Sequence, residues 1–333
     1  MIDLSIVIVN WNTRELLVRC LGSIQRFGGS GGQERGLRCE TLVVDNGSED
    51  GSAEAVARHF PWAELLEVGA NLGFAAACNL GLRRARGRTA LLLNSDTELT
   101  PGVLVRCVRY LEEHPDVGIL GPRLVSPDGR EQNAVHGHPG LLSELLPPGL
   151  LCRLLPGRFP SRHRGFCGPT EVPAVLGAAL FVRRSLLEEV GLLPEDHFLF
   201  LEETDLCLRA ARAGWRILHL PEVCVVHVHG ASSKRPWPAE TRIEYQRSLD
   251  RFLRKHRGPG LAQLAGLWRM AKTGFYVSLR APAALLFRPI RRRWRQDCRV
   301  LAWYLRGRPE DWGIPGRRPA AGGDPAPRLG GVL

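Results

Sequence analysis

No stretch of this 333-residue sequence approaches the roughly 18 uninterrupted apolar residues of a membrane-crossing helix, so a transmembrane span is not expected. The nine cysteines include no CxxC pair. Scattered through apolar or helical surroundings, they predict reduced thiols rather than a disulfide framework or a zinc site. The opening "MIDLSIVIVN" lacks a basic leader and reads as a strand, so a signal peptide is not expected. These features together point to a cytoplasmic protein. Two nucleotide-binding signatures are also missing. The first strand ends in "NWNTRE" without the glycines of GxGxxG, and GxxxxGK[ST] occurs nowhere, which weakens the oxidoreductase and P-loop readings. Internal repeats are absent. Acid is scarce in one segment: between Arg280 and Arg308 nine arginines face one acid, Asp297. That stretch holds most of the net charge of +11, leaving the rest of the chain nearly neutral.

The composition that remains, 44% hydrophobic and 24% charged, is that of a folded globular chain with a sizeable core. The first 120 or so residues alternate between short apolar runs and helical periodicity. "SIVIV" precedes a segment in which Leu16, Leu17, Cys20, Leu21 and Ile24 recur at helical spacing. "TLVVD", "AELLEV" and "TALLLN" read as further strands, and "SAEAVARHF" as a short helix. "NLGFAAACNLGLRRARG" reads as a helix opened at Gly73 and closed at Gly87, and "GVLVRCVRYLEEH" as one capped by Thr100. This rhythm predicts an α/β fold with a mostly parallel central sheet covered by helices on both faces. In such sheets ligands gather at the carboxyl ends of the strands, which carry Asn10-Trp11-Asn12, Asp45-Asn46-Gly47-Ser48 and Asn94-Ser95-Asp96.

Residues 126–172, rich in Pro, Gly, Arg and His, read as a long excursion able to cover a site. "VPAVLGAALFVRRSLLEEVGLL" follows as strand then helix, and "RILHLPEVCVVHVHGASS" as two short strands. The predicted organisation is a catalytic domain over 1–257, a basic amphipathic helical region over 258–312, and a disordered tail over 313–333.

Three segments carry candidate chemistry. Asp45, at a strand end, can accept from a ribose or base, or can simply close an Asx turn. "NSD" after a buried strand offers the carboxylate of Asp96 and the neutral oxygens of Asn94 and Ser95 to a hard divalent cation, with His227 and His229 as candidate imidazoles. "LEETDLCLRAARAGW" crowds Glu202, Glu203 and Asp205. Asp205 can pair with Arg209 at i,i+4. The crowding of Glu202 and Glu203 behind "FLFL" is less easily structural, and crowded carboxylates in a cleft suit general-base chemistry.

Taken in order, "SIVIVNWN", "VVDNGSEDGS", "NLGFAAACNLGL", "LLLNSDTEL", "LGAALFVRR", "LFLEETDLCLRAARAGW" and "VVHVHGASS" resemble the motifs of family 2 glycosyltransferases, in particular bacterial rhamnosyltransferase-like members, over about residues 3–257. The resemblance implies a GT-A fold and inverting transfer of a sugar from a nucleotide-diphosphate donor, with dTDP-rhamnose as the leading donor. It implies that Val9 and Trp11 flank the nucleobase, that Asp45 binds base or ribose, and that Asn71, Gly73 and Asn79 line the donor. "NSD" stands where the family carries its DxD-type motif, so Asp96 would bind Mg²⁺ or Mn²⁺, with Asn94 and Ser95 in place of the first acid. His227 matches the family's metal-binding histidine, whereas His229 falls where a glycine is usual. The catalytic base falls on Glu203, where the family usually has aspartate, with Glu202 as the alternative.

The segment 270–308 interleaves arginines with Phe, Tyr, Trp and Leu. It fits an anionic membrane surface, apolar face down, and equally a helical hairpin packed on the catalytic domain. A glycan or lipid-linked acceptor from cell-envelope synthesis would make peripheral contact with the inner membrane face useful. The competing readings are another nucleotide-sugar-using transferase and a basic nucleic-acid-binding protein. Confinement of the arginines to one segment, with no base-reading module, argues against nucleic acid as a partner.

Overall fold

The computed structural model describes residues 1–28, 33, 34, 36–161, 165–228 and 238–314. Its first half follows the expected alternation: β1 (Leu4–Asn10), α1 (Arg14–Gly28), β2 (Gln33–Glu34), β3 (Leu37–Asp45), α2 (Ser52–His59), β4 (Glu64–Glu67), α3 (Phe74–Arg84), β5 (Thr89–Asn94), β6 (Thr97–Leu99), α4 (Val103–Glu113) and β7 (Val117–Val125). β1 is buried along its whole length because helices cover both faces of the sheet. Alternation sends Ile6 and Ile8 toward Leu17, Leu21 and Ile24 of α1, while Val7 and Val9 face Ala75 and Cys78 of α3. β3 and β5 flank β1 in parallel, with Asn10 opposite Asp45 and Val9 opposite Asn94. The three polar strand ends therefore lie side by side.

The predicted excursion contains β8 (Val135–His136), α5 (Leu141–Leu145), α6 (Pro148–Leu154) and β9 (Thr170–Glu171). Beyond it come β10 (Ala174–Val175), β11 (Ala179–Arg183), α7 (Arg184–Val190), α8 (Glu202–Arg212) and β12 (Arg216–His227). The main path of the sheet runs β2-β3-β1-β5-β11-β7-β12-β6. β11 lies antiparallel between β5 and β7, so the sheet is mixed, with a parallel half around β1. Two local expectations change. The two short strands expected over 216–227 are one strand, whose pairing with β7 shifts register between Leu220 and Cys224, where Pro221 has no N–H to offer. Thr100 does not cap α4: Gly102, at φ 79°, takes that place, and the Thr100 hydroxyl donates to the Cys224 carbonyl at 2.5 Å. All nine cysteines are free, and burial pushes the Cys20 and Cys207 thiols up to about 12.

Three helices follow, α9 (Pro238–Arg257), α10 (Pro259–Leu286) and α11 (Arg288–Leu305). α10 and α11 form a hairpin against α9. Ile243 packs with Val300, Trp303 and Tyr304, and Leu249, Phe252 and Leu253 join Ala262 and Ala265 to Leu201 and Leu208 of the α8 region. The packed-hairpin alternative thus describes these residues, while one face of α10 still carries exposed apolar side chains such as Phe275 and Leu279. No described helix is long and apolar enough to cross a membrane. The tail predicted to be disordered and His229 lie outside the described residues, apart from Gly313 and Ile314.

Candidate active site

A cleft of about 220 Å³ opens at the carboxyl ends of β1 and β5 and is walled by Val9, Trp11, Asn71, Gly73, Asn94, Ser95, Asp96, Glu202, Glu203 and His227. Ten of the twelve residues that the resemblance assigns to donor, metal or base thus line one cleft. Their separation in the chain is closed by β12, which pairs antiparallel with β6 and sets His227 opposite Thr97, one residue past Asp96.

Asp45 and Asn79 do not stand on that wall. Asp45 is buried beside it: Oδ1 accepts from the Asn10 side chain at 3.2 Å and Oδ2 from the Ser48 N–H at 2.9 Å. Those bonds tie the ends of β1 and β3 together. Asn79 donates to the Leu193 carbonyl and to Glu195 and accepts from the Leu193 N–H, which clamps α3 to the chain after α7. Asn46, noted at its strand end but given no role in the sequence reading, takes a place in the cleft. Its side chain donates to Asn71 Oδ1 at 2.9 Å and to the Gly73 carbonyl at 3.3 Å, and accepts from the Leu72 N–H at 3.0 Å. This holds the loop before α3 open in one shape. Gly73 sits at φ 89°, and a Cβ there would meet the Phe198 carbonyl oxygen at 2.6 Å, so a side chain is excluded on both counts.

Asp96 and His227 approach each other with Oδ1 and Nε2 3.5 Å apart, both buried. The tautomer of His227 follows from its neighbour. Gln132 Nε2 donates to the His227 carbonyl at 2.7 Å, which leaves Gln132 Oε1, an acceptor, 2.9 Å from Nδ1. Nδ1 therefore donates to Gln132, and Nε2 is the ring nitrogen that faces Asp96. One carboxylate oxygen and one imidazole nitrogen with a fixed second partner are a suitable half-set for a divalent cation. Among the described residues no cluster of three or more acidic, His or Cys side chains completes it.

Across the cleft, α8 begins in an unusual way. Phe200 and Leu201 both have positive φ, 74° and 67°, although neither is glycine. Such residues cost on the order of 1–3 kcal/mol each and persist where packing over-determines them. Here the packing comes from α9. Ser248 donates to the Leu199 carbonyl at 2.7 Å, the Tyr245 ring meets Phe200 edge-on at 5.8 Å, and Leu201 is buried against Leu249 and Phe252. Asp205 anchors the next turn, held at about 2 because hydrogen bonds from Lys255, His256 and Arg209 outweigh the upward push of burial. Its pairing with Arg209 at 2.6 Å is the i,i+4 contact read from the sequence.

This turn delivers Glu202 and Glu203 as the first two residues of α8, both on the cleft wall. Burial, and after it the charge of Glu203, pushes the Glu202 carboxyl well above the ordinary carboxylate range; Glu202 Oε2 has no hydrogen-bond partner among the described residues. Glu203 Oε1 accepts from Thr204 Oγ1 at 3.2 Å and lies 3.6 Å from Nε2 of His136. Burial holds His136 below the ordinary histidine range, so a neutral imidazole faces Glu203. Of the two carboxyls, Glu202 is the one whose burial favours the neutral form. His136 had no local sign in the sequence, since it lies in the excursion and meets Glu203 only through tertiary packing.

The raised Glu202 carboxyl has a signed consequence for stability. A group whose folded pKa lies above its unfolded value of about 4.3 binds more protons in the folded state, so stability falls as pH rises from there toward the folded value. Glu202→Gln removes that loss. The expected result is a Tm difference, variant minus wild type, that grows as pH rises above about 4.3. A pH-independent difference would show that Glu202 ionises normally.

The comparisons with known proteins agree with this geometry. Residues 5–191 match the family model described as Glycosyl transferase family 2, and the chain belongs to that family. It is a glycosyltransferase. It is 29% identical over 238 residues to the N-acetylglucosaminyl-diphospho-decaprenol L-rhamnosyltransferase of Mycobacterium tuberculosis, covering 65% of this chain and 75% of that protein. It is 25% identical to the low-salt glycan biosynthesis hexosyltransferase Agl10 of Haloferax volcanii, over 68% of this chain and 67% of that one. Among solved structures it resembles the mannosyltransferase PcManGT from Pyrobaculum calidifontis in complex with GDP-Man and Mn²⁺ (TM-score 0.54, 20% identity, 91% of this chain and 86% of that). It also resembles GalNAc-T7 with UDP, GalNAc and Mn²⁺ (TM-score 0.56, 15% identity, 76% and 48%). The fold is of the GT-A type.

Proposed function

We propose that the protein transfers a sugar, with rhamnose from dTDP-rhamnose as the leading candidate, from a nucleotide-diphosphate donor to a hydroxyl of a lipid-linked or cell-envelope glycan acceptor, with inversion. The observation that carries this reading is the convergence of the Asp96–His227 pair and the Glu202–Glu203 pair on one cleft. The similarity to the mycobacterial rhamnosyltransferase supports the sugar and the lipid-linked acceptor, and the Mn²⁺ complexes of the structural neighbours support a divalent cation.

In this reading Val9, Trp11, Asn46, Asn71 and Gly73 form the donor side, with Asp45 holding the strand ends in register beneath it. Asn94 and Ser95 offer neutral oxygens, and Asp96 and His227 Nε2 would hold Mg²⁺ or Mn²⁺. A cation held there supplies positive charge to the diphosphate as it departs. Glu203 takes the proton of the attacking acceptor hydroxyl, so that the anomeric carbon is approached from the face opposite the diphosphate. Glu202, neutral, adds no second negative charge beside it. The working place proposed is the cytoplasmic side of the membrane, with residues 270–308 against an anionic lipid surface and no role for nucleic acid.

The decisive experiment is a screen of nucleotide-sugars for thermal stabilisation with and without Mn²⁺. A donor present at about 100 times its Kd stabilises the folded state by about 2.7 kcal/mol. dTDP-rhamnose is expected to give the largest metal-dependent rise in Tm, and a larger rise with a UDP- or GDP-sugar would replace it as donor.

A further inference from the structure

Away from the cleft, a second cavity of about 670 Å³ lies between α9, α10 and α11, lined by Arg242, Lys272, Tyr276, Arg280, Arg292 and Arg293. Five of these six are cationic, and the one acid lining the cavity is Asp297. Asp297 is buried, and its two oxygens accept from Arg242 at 2.7 Å and from Arg280. One carboxylate thereby fixes two guanidinium groups contributed by different helices. The Arg280 guanidinium also lies over the Tyr276 ring, 4.7 Å from its centre. Each guanidinium has five N–H donors, so those bonds leave most of them free for another acceptor. Lys272, Arg292 and Arg293 form no ion pair with any described residue. Asp297 offsets one of five charges, and the surplus is concentrated in a concave, preorganised site. Planar forks around a cavity match tetrahedral oxyanions better than single carboxylates.

The cavity has an apolar neighbour. Lys272, Tyr276 and Arg280 are spaced four residues apart and form one stripe of α10. Phe275 and Leu279 each precede a member of it by one position, about 100° around the helix. Both are more than 60% exposed, as is Leu264 farther along and Leu286 at the helix end. A cationic pocket and an exposed apolar row therefore run side by side on one helix, complementary to a molecule with an anionic head and an apolar chain.

We propose that this cavity is a binding site for the phosphate group of an anionic membrane lipid, seated among Lys272, Arg280, Arg292 and Arg293, with the acyl region against Phe275 and Leu279. The proposal deepens the membrane reading above and rests on it, but is independent of donor and sugar. It replaces a diffuse basic surface by one pocket with a preference for phosphate.

The test measures sedimentation of the full chain with vesicles of phosphatidylcholine containing phosphatidic acid, or oleate at equal surface charge. The pocket variant is Lys272→Gln/Arg292→Gln/Arg293→Gln. The control, Arg26→Gln/Arg58→Gln/Arg109→Gln, removes the same charge from exposed positions on α1, α2 and α4. Each basic group near an anionic leaflet is worth about fivefold in partitioning, so the pocket variant is expected to bind phosphatidic acid vesicles about a hundredfold more weakly. The control is expected to stay within about threefold, because none of its three arginines lines the cavity. Should the triple variant unfold, Arg292→Gln alone is expected to lose about fivefold. Stronger binding to phosphatidic acid than to oleate supports the assignment. Equal loss in both triple variants, or equal binding to the two lipids, overturns the pocket and leaves the membrane reading standing. Failure of the wild type to bind any anionic vesicle overturns both. Inorganic pyrophosphate binding the pocket more tightly than vesicles do would place the ligand in solution and overturn the lipid assignment.

Discussion

Glu203→Gln is expected to abolish measurable turnover, a loss of about 10²–10⁴-fold, while leaving donor binding intact. The substitution keeps the length and shape of the side chain and removes only the ability to take a proton. The surroundings allow that separation. The carboxylate accepts a hydrogen bond from Thr204 at 3.2 Å and otherwise faces the neutral His136, so no ion pair that stabilises the fold depends on its charge. The loss corresponds to about 3–5 kcal/mol of barrier, within what one positioned base contributes. Glu202→Gln is expected to be much milder in turnover, because burial already favours the neutral form of Glu202, which Gln imitates. The comparison of the two variants is therefore the measurement: kcat for each, with donor binding followed by thermal shift. If Glu202→Gln is the inactive variant and Glu203→Gln turns over, the roles are exchanged. If Glu203→Gln loses donor binding together with folded structure, the residue is a support for α8 rather than the base.

Much of this site was legible because its residues sit where elementary rules place them. Val9 and Asn94 lie at the carboxyl ends of short buried strands and Asp96 just past one, and parallel sheets gather ligands at those ends. The pairing of β1 with β3 and β5 turns three scattered polar clusters into neighbours. Glu202 and Glu203 stood out because two acids behind an apolar run have no simple structural explanation. Other features had no local trace. "FLFL" reads as core, yet Phe200 and Leu201 adopt positive φ, and only the packing of Tyr245, Leu249 and Phe252 from α9 makes that conformation tenable. Gln132 and His136 belong to the excursion, whose composition conceals that two of its side chains fix the orientation of His227 and the surroundings of Glu203. Asp45 and Asn79 show a second kind of feature without local trace. Both carry the right chemistry at the right strand or helix, but their hydrogen bonds turn them toward the scaffold. The antiparallel β11 was also invisible, since a short apolar strand carries no mark of direction.

Asp96→Asn is expected to remove the metal-dependent part of donor binding. With Asn94 and Ser95 neutral, Asp96 is the acid of its strand end that faces the cleft, and His227 Nε2 is its neighbour at 3.5 Å. Two protein ligands satisfy a minority of the positions of a six-coordinate cation, so affinity in the absence of substrate is low and the diphosphate oxygens complete the set. The wild type is therefore expected to show little thermal shift with Mn²⁺ alone, a small one with nucleotide diphosphate alone, and a larger one with both than the sum of the two. That excess is the coupling between the ligands, and by linkage it is the same whichever is added first. In Asp96→Asn the excess is expected to vanish while the shift from the nucleotide alone persists, because Val9, Trp11 and Asn46 are untouched. Gln132→Ala serves as the graded case. It leaves both ligands in place but removes the hydrogen-bond partner of His227 Nδ1, and loss of such an outer partner costs about 10–100-fold in metal affinity. The order of the excess shift is thus wild type, then Gln132→Ala, then Asp96→Asn. An Asp96→Asn protein that retains the full excess would place the cation elsewhere and reduce the pair with His227 to a structural contact.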